Sequence, residues 1–200
     1  MPATRAVERD DPVAWRRGRT RYGVWVLEAD TAPVRERLAL VRAHCGDWLW
    51  PTQRLPHVTV WVGGFLCDRP ALDDDLPPTA LAARQAALRE ALLPPFRLEV
   101  GGPATFEAAA YLRVADPGGA LDRLRALLQD GRGEFRDTPY VPHVTVGLYR
   151  RSVPMADVVR RLSACRVMPL DLAVTAVHFV SYDAAVIDGP LRTECSIPLG

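Results

Sequence analysis

Two hundred residues, 48% of them hydrophobic, can bury one sizeable core or two small fused lobes without disulfides or metal, which excludes a disordered chain. With 25 basic and 24 acidic residues the formal charge is +1. That excludes an overall basic field able to hold long duplex nucleic acid through many phosphates, and a nucleotide or short oligonucleotide end fits better as a partner.

Residues 1–21 are dense in Arg, Asp and Glu with little apolar periodicity and read as a flexible charged N-terminal extension to a domain over residues 22–200. Residues 22–28 read as a strand. Thr31 and Pro33 then start a helix whose apolar positions Val34, Leu38, Val41 and Cys45 keep helical spacing, with a stop at Gly46. A strand is expected over about 55–65, ended or bulged by Gly63 and Gly64. Asp73, Asp74 and Asp75 read as a solvated helix entry rather than cation ligands, ahead of an Ala- and Leu-rich helix over about 79–93 that Pro94 and Pro95 close. Strands at 96–101 and 109–114 follow, and a second lobe begins at the turn Asp116-Pro117-Gly118. Its helix carries Leu121, Leu124, Leu127 and Leu128 and is expected to end at Gly131. A strand at 141–149, a helix at 156–165, a β-rich run at 170–182 and a strand at 193–199 complete one bilobal α+β domain.

The string Pro-His-Val-Thr-Val occurs twice, at residues 56–60 and 142–146. A strand puts residues i and i+2 on one face, so His57 projects with Thr59 and His143 with Thr145, while the valines point the other way. Two such copies suggest a duplicated half-domain whose pseudo-twofold pairing aims both imidazoles and both hydroxyls at one groove. One imidazole can act as base and the other as acid, and the threonines can donate to non-bridging phosphate oxygens. Continuing the alternation brings Trp61 and Tyr149 to the groove as candidates for stacking on a base, each also readable as a lobe-packing aromatic. Tyr140 lies in a loop whose hydroxyl could reach the groove, and Arg150 and Arg151 follow the second motif strand as candidate phosphate ligands. His44 reads as a helix-end surface residue and His178 as a satisfied, half-buried one. Each motif strand offers only one good metal ligand, which argues against a metal site, and no cofactor is implied.

The paired motifs, with the segments Ala110-Tyr111-Leu112-Arg113-Val114 and Val180-Ser181-Tyr182-Asp183, resemble the two-histidine (2H) phosphoesterase superfamily, which includes bacterial 2′-5′ RNA ligase-like proteins and RNA 2′,3′-cyclic phosphodiesterases. The resemblance implies two lobes of antiparallel sheet with outer helices around a central cleft. It implies a metal-independent phosphodiesterase acting on 2′,3′-cyclic phosphates or 2′-5′ linkages, with His143 as the base that activates water and His57 as the acid. A non-catalytic nucleotide- or 2′-5′ oligonucleotide-sensing module is the alternative in the same cleft. Four dispersed cysteines (Cys45, Cys67, Cys165, Cys195), no apolar signal-peptide core and no apolar run near the roughly 20 residues that span a bilayer lead to the expectation of a cytoplasmic monomer with reduced thiols and no membrane role.

Overall fold

The computed structural model describes residues 2–8, 13–129, 134 and 138–200. A short helix α1 (Val13–Arg16) precedes strand β1 (Arg21–Glu28), helix α2 (Ala32–Cys45), strand β2 (His57–Leu66), the two-residue strand β3 (Asp75–Leu76) and helix α3 (Pro78–Glu90). Strands β4 (Phe96–Thr105) and β5 (Ala109–Ala115), helix α4 (Ala120–Leu128), strand β6 (His143–Leu148) and helix α5 (Met155–Ala164) follow, and β7 (Leu170–Val174), β8 (Ala176–Asp183) and β9 (Arg192–Pro198) finish the chain. The α+β class and both motif strands are as the sequence predicts. The β-rich run at 170–182 is two strands, β7 and β8, and the expected helix stop at Gly131 lies outside the described residues.

These strands form one sheet in the order β7-β4-β5-β6-β2-β1-β8-β9, antiparallel throughout that path, with β3 alongside β2 in parallel. The unit β1-α2-β2 corresponds to β5-α4-β6, and the two units meet where β2 pairs with β6. The expectation that the second lobe begins at Asp116 is therefore corrected: β4 and β5 already belong to the second half, and β8 and β9 return to pair with β1 in the first. A connection shorter than four residues joins β4 to β5, so they pair with each other, and β5 then hydrogen-bonds to β6 rather than to anything in the first half.

The helices interlock the halves as well. Helix α2 packs against β6 and α5, and helix α4 against β2 and α3. Between helices and sheet lies the main core, where Val58, Val60, Val144 and Val146 are fully buried together with Leu38, Val41, Leu124 and Leu128. Fully burying an aliphatic side chain contributes about 1.5–3 kcal/mol, so the non-histidine, non-threonine half of each motif is explained by packing.

Both motif strands carry an extra residue just after the threonine. Opposite β1, Trp25 pairs with Trp61 but Val26 with Thr59, which leaves Val60 as the insertion. Opposite β5, Ala110 pairs with Gly147 but Tyr111 with Thr145, which leaves Val146. A bulge of this kind takes backbone groups out of the ladder, and they need other partners. Arg125 on α4 donates to the Val60 carbonyl at 2.6 Å, and Arg42 on α2 donates to the Val146 carbonyl at 2.7 Å. The Val62 N–H donates to Glu134, which is itself ion-paired to Arg125 at 2.7 Å. Each half thus supplies the arginine that satisfies the bulge of the other. Further along β2, as the Gly63-Gly64 pair suggested, the register slips again; Gly64 has φ +113°, and a Cβ there would lie 2.4 Å from the Asp74 carbonyl oxygen.

The sequence reads as a flexible arm over 1–21; its described parts, residues 2–8 and 13–21, are docked on the domain. The Thr4 hydroxyl donates to the Arg151 carbonyl and accepts from the Val153 N–H, and the Val7 N–H donates to the Tyr149 carbonyl. Arg19 bonds Asp75 at 2.6 Å and Asp74 Oδ2 at 3.0 Å, with its guanidinium 3.8 Å from the Phe65 ring centroid. Asp74 and Asp75 are accordingly buried, not a solvated helix entry. Charge count hid this because the partners are 55 and 56 residues apart.

Replacing Arg42 with Met keeps the apolar stem but leaves the Val146 carbonyl without its charged donor. The expected loss is about 1.5–3 kcal/mol of stability, read as a lower urea midpoint.

Candidate active site

Val58 of β2 pairs with Val144 of β6, and this is the register of the two central strands. Extending it by one residue each way sets His57 across from Thr145 and Thr59 across from His143, all on the face opposite the valine core. Directly opposed positions on a sheet lie about 5 Å apart and diagonal ones about 7–8 Å. The imidazoles occupy one diagonal of a small rectangle and the hydroxyls the other. All four side chains line a cleft of about 270 Å³, the lower end of small-ligand pockets and the scale of one nucleotide or a chain terminus.

The proline ahead of each histidine has a local reason. It restrains the residue before it to extended geometry, which turns that residue's carbonyl toward the imidazole. His57 Nδ1 lies 2.8 Å from the Leu55 oxygen and His143 Nδ1 lies 2.7 Å from the Val141 oxygen. A carbonyl only accepts, so Nδ1 carries the proton in both rings and Nε2 is the nitrogen that exchanges one. The same two-residue anchor in each half fixes the same tautomer twice.

The surroundings are not symmetric. His143 meets the edges of Phe106 and Tyr111, at 5.0 and 5.4 Å between centroids, and those two rings stack on each other at 4.1 Å. His57 instead has Arg54 nearby, whose Nε donates to the Gly189 carbonyl at 2.9 Å and whose guanidinium lies 4.5 Å from the Tyr182 ring centroid. Burial in the cleft pushes the pKa of His57 down to about 4; the charges of Arg54 and the second imidazole add to this, and the Leu55 hydrogen bond opposes it.

The four tentative binding residues fall elsewhere. Trp61 is 3% exposed in the helix-side core, with Arg125 at 5.1 Å from its ring, and Tyr149 is fully buried with its hydroxyl 2.8 Å from Thr105 Oγ1. The bulges at Val60 and Val146 reverse the alternation, so that Val62 and Leu148 turn to the cleft face and Trp61 and Tyr149 turn away. Tyr140 donates its hydroxyl to the Thr59 carbonyl at 3.1 Å, supporting the strand and not the cleft; burial raises its pKa. Arg150 is exposed and lies over the Trp50 ring at 4.9 Å, outside the cleft lining. His44 Nε2 meets the Arg161 carbonyl, and His178 Nδ1 meets Ser196 Oγ; neither lines the cleft.

Sequence reasoning missed Arg54, Thr52, Trp15 and Asp188, all of which line the cleft from irregular segments or from the extension. Arg54, three residues before His57 and two before Pro56, was the one with a readable signal. Tyr182, singled out only as part of a late segment, also lines the cleft. Among the described residues no three His, Cys, Asp or Glu side chains are grouped to hold a metal ion, and no helix is long and apolar enough to cross a membrane.

A curled antiparallel sheet with outer helices and a central cleft bearing two histidines and two threonines defines the two-histidine phosphoesterase class. The 2′-5′ RNA ligase superfamily model matches residues 31–185, and the chain belongs to that family. E. coli LigT complexed with 3′-AMP is similar over 90% of this chain and 98% of its own, with TM-score 0.62 and 17% identity. A protein described as a phosphoesterase is similar over 90% and 98%, at 0.59 and 15%, and the Thermus thermophilus protein TT0787 over 89% and 97%, at 0.58 and 18%. No curated protein matches the sequence. Membership supports a phosphoesterase-type or RNA ligase-like enzyme.

Because the folded value for His57 is about 4 against an ordinary 6.5, the unfolded chain binds more protons between those values. This group's contribution to stability is present above pH 6.5 and is lost as pH falls toward 4. The urea midpoint is expected to drop across that window and to drop less in His57→Gln; identical pH slopes for the two proteins would contradict the assignment.

Proposed function

We propose that this protein hydrolyses 2′,3′-cyclic phosphates, on nucleotides or RNA ends, to 2′-phosphates through its two imidazoles, without a metal in the chemical step. The observation that carries the reading is the rectangle of His57, Thr59, His143 and Thr145, with both Nδ1 atoms anchored to backbone carbonyls, so that Nε2 is the nitrogen of each ring suited to exchange a proton. Hydrolysis needs a proton removed from water on one side of phosphorus and a proton delivered to the departing oxygen on the other. The diagonal imidazoles suit those two places. The threonine hydroxyls, on the crossing diagonal, can donate to the equatorial oxygens as charge builds there.

In the balanced step one neutral imidazole takes a proton from water as the new P–O bond forms. The P–O3′ bond breaks, and the other imidazole, protonated, gives its proton to the 3′-oxygen. The base ends protonated and the acid neutral, and solvent exchange resets both. The resemblance assigns His143 as base and His57 as acid. The electrostatics of this cleft favour the reverse in the free enzyme, because burial and Arg54 keep His57 neutral. Joining a cyclic phosphate to a 5′-hydroxyl is the reverse of cleaving a 2′-5′ bond, so the same residues serve both; abundant water favours hydrolysis. The nucleotide preference is further supported by the complex of LigT, a relative in fold, with 3′-AMP.

The test is incubation with nucleoside 2′,3′-cyclic monophosphates and an RNA ending in a cyclic phosphate, with EDTA present. A 2′-phosphate product is expected, with kcat lowered about 10²- to 10⁴-fold in His57→Ala and in His143→Ala and about 10²-fold in Thr59→Val or Thr145→Val. With His57 as base, kcat/KM holds on the acid side until roughly pH 4–5. Full activity in either histidine variant, or activity lost to EDTA and restored by a divalent cation, would overturn the reading.

A further inference from the structure

The family match begins at residue 31, yet the cleft is walled in part by a side chain well before it. Trp15, from the four-residue helix α1, lines the same cleft as His57, Thr59, His143 and Thr145. Its ring sits 4.9 Å from both Tyr22 and Phe65 at tilts of 59° and 50°, and Tyr22 in turn meets Tyr182 at 5.7 Å. Tyr22 and Phe65 are buried, 5% and 0% exposed, while Trp15 is half-buried and lines the cleft.

This aromatic wall is tied to the body of the domain by Arg19. Arg19, three residues beyond α1, closes the turn through its Nε to the Arg16 carbonyl and reaches the Trp15 carbonyl at 3.3 Å. The same guanidinium is tied to buried Asp74 and Asp75 and lies over Phe65, the ring on which Trp15 packs. Its pKa is raised, chiefly by the Asp74 hydrogen bond, so the clamp is charged at any working pH. A clamp of this kind spends its ordering entropy during folding rather than on ligand binding.

Position fits a nucleobase. Val26 lies across from Thr59, Val24 across from Val62 and Tyr22 across from Phe65, so Tyr22 and Phe65 stand two side-chain places beyond Thr59. At about 3.3 Å per residue that is roughly 13 Å along the strand from Thr59, and the Trp15 ring, packed on both, lines the same cleft as the rectangle. The path between is apolar, formed by Val24 and Ala184.

We infer that Trp15 is a specificity-determining residue: it supplies an aromatic platform for the base of a nucleotide whose phosphate occupies the His–Thr rectangle, so that a segment outside the family-matched region turns a general phosphate site into a nucleotide site. This rests on the cleft being a nucleotide phosphoesterase site, as proposed above, but its test does not require turnover. A base stacked on an aromatic side chain loses about 5- to 150-fold in affinity when that ring is removed.

The experiment is calorimetric titration of the full chain with 3′-AMP and, separately, with inorganic phosphate, for wild type, Trp15→Leu and Trp15→Phe. Leu keeps apolar packing on Tyr22 and Phe65 without an aromatic face, and thermal melting of each variant reports whether the segment stays docked. The inference expects Trp15→Leu to weaken 3′-AMP about 5- to 150-fold, to leave phosphate unchanged, and Trp15→Phe to regain most of the loss. Equal weakening of 3′-AMP and phosphate, or no change for either, overturns it. Where the enzyme also turns over cyclic substrates, the loss appears in KM for nucleoside 2′,3′-cyclic phosphates and not for ribose 2′,3′-cyclic phosphate lacking a base. A wild type that binds 3′-AMP through Trp15 but hydrolyses no cyclic phosphate would sink the catalytic reading alone.

Discussion

The pairing of Val58 with Val144 is the constraint on which the rest of the molecule depends. It is the one register point joining β2 to β6 among the described residues, and so the one that joins the two halves of the sheet. A slip of one residue would turn the imidazoles and hydroxyls into the helix-side core and the valines into the cleft. The register is held from behind, because the four motif valines are fully buried, and from the sides, because each half's arginine satisfies the bulge carbonyl of the other. Stability and chemistry are thus written into alternate residues of the same five-residue string.

Pseudo-symmetry builds the site, and its breaking gives the site direction. The backbone anchors of the two histidines are the same, as are the bulges and the arginines that satisfy them. Yet Val26 stands across from Thr59 where Tyr111 stands across from Thr145, and a cation lies near His57 where aromatic edges lie near His143. A cyclic phosphate is itself unsymmetric, with a nucleoside on one side and water on the other. An unsymmetric cleft can therefore separate the proton acceptor from the donor before any substrate arrives.

Much of this was legible in the sequence. Helical spacing at Val34, Leu38, Val41 and Cys45 marked the buried face of α2, all four of them buried, and strand alternation put His57 with Thr59 and His143 with Thr145. Alternation failed at Trp61 and Tyr149 for one shared reason: it counts residues, and an inserted residue reverses the count. Neither bulge was signalled, since Val60 and Val146 are ordinary strand formers. Arg54 and Trp15 reach the cleft from segments without periodicity, and the clamp of Arg19 on Asp74 and Asp75 links residues more than fifty apart. Such contacts come from tertiary structure and have no local signature.

The central claim is that water enters on one side of phosphorus and the 3′-oxygen leaves on the other, each served by its own imidazole. The most direct measurement is the stereochemical course of hydrolysis of a single diastereomer of a nucleoside 2′,3′-cyclic phosphorothioate in ¹⁸O-labelled water. One in-line displacement between opposed imidazoles predicts inversion at phosphorus. Retention would mean two displacements through a covalent intermediate and would contradict the account.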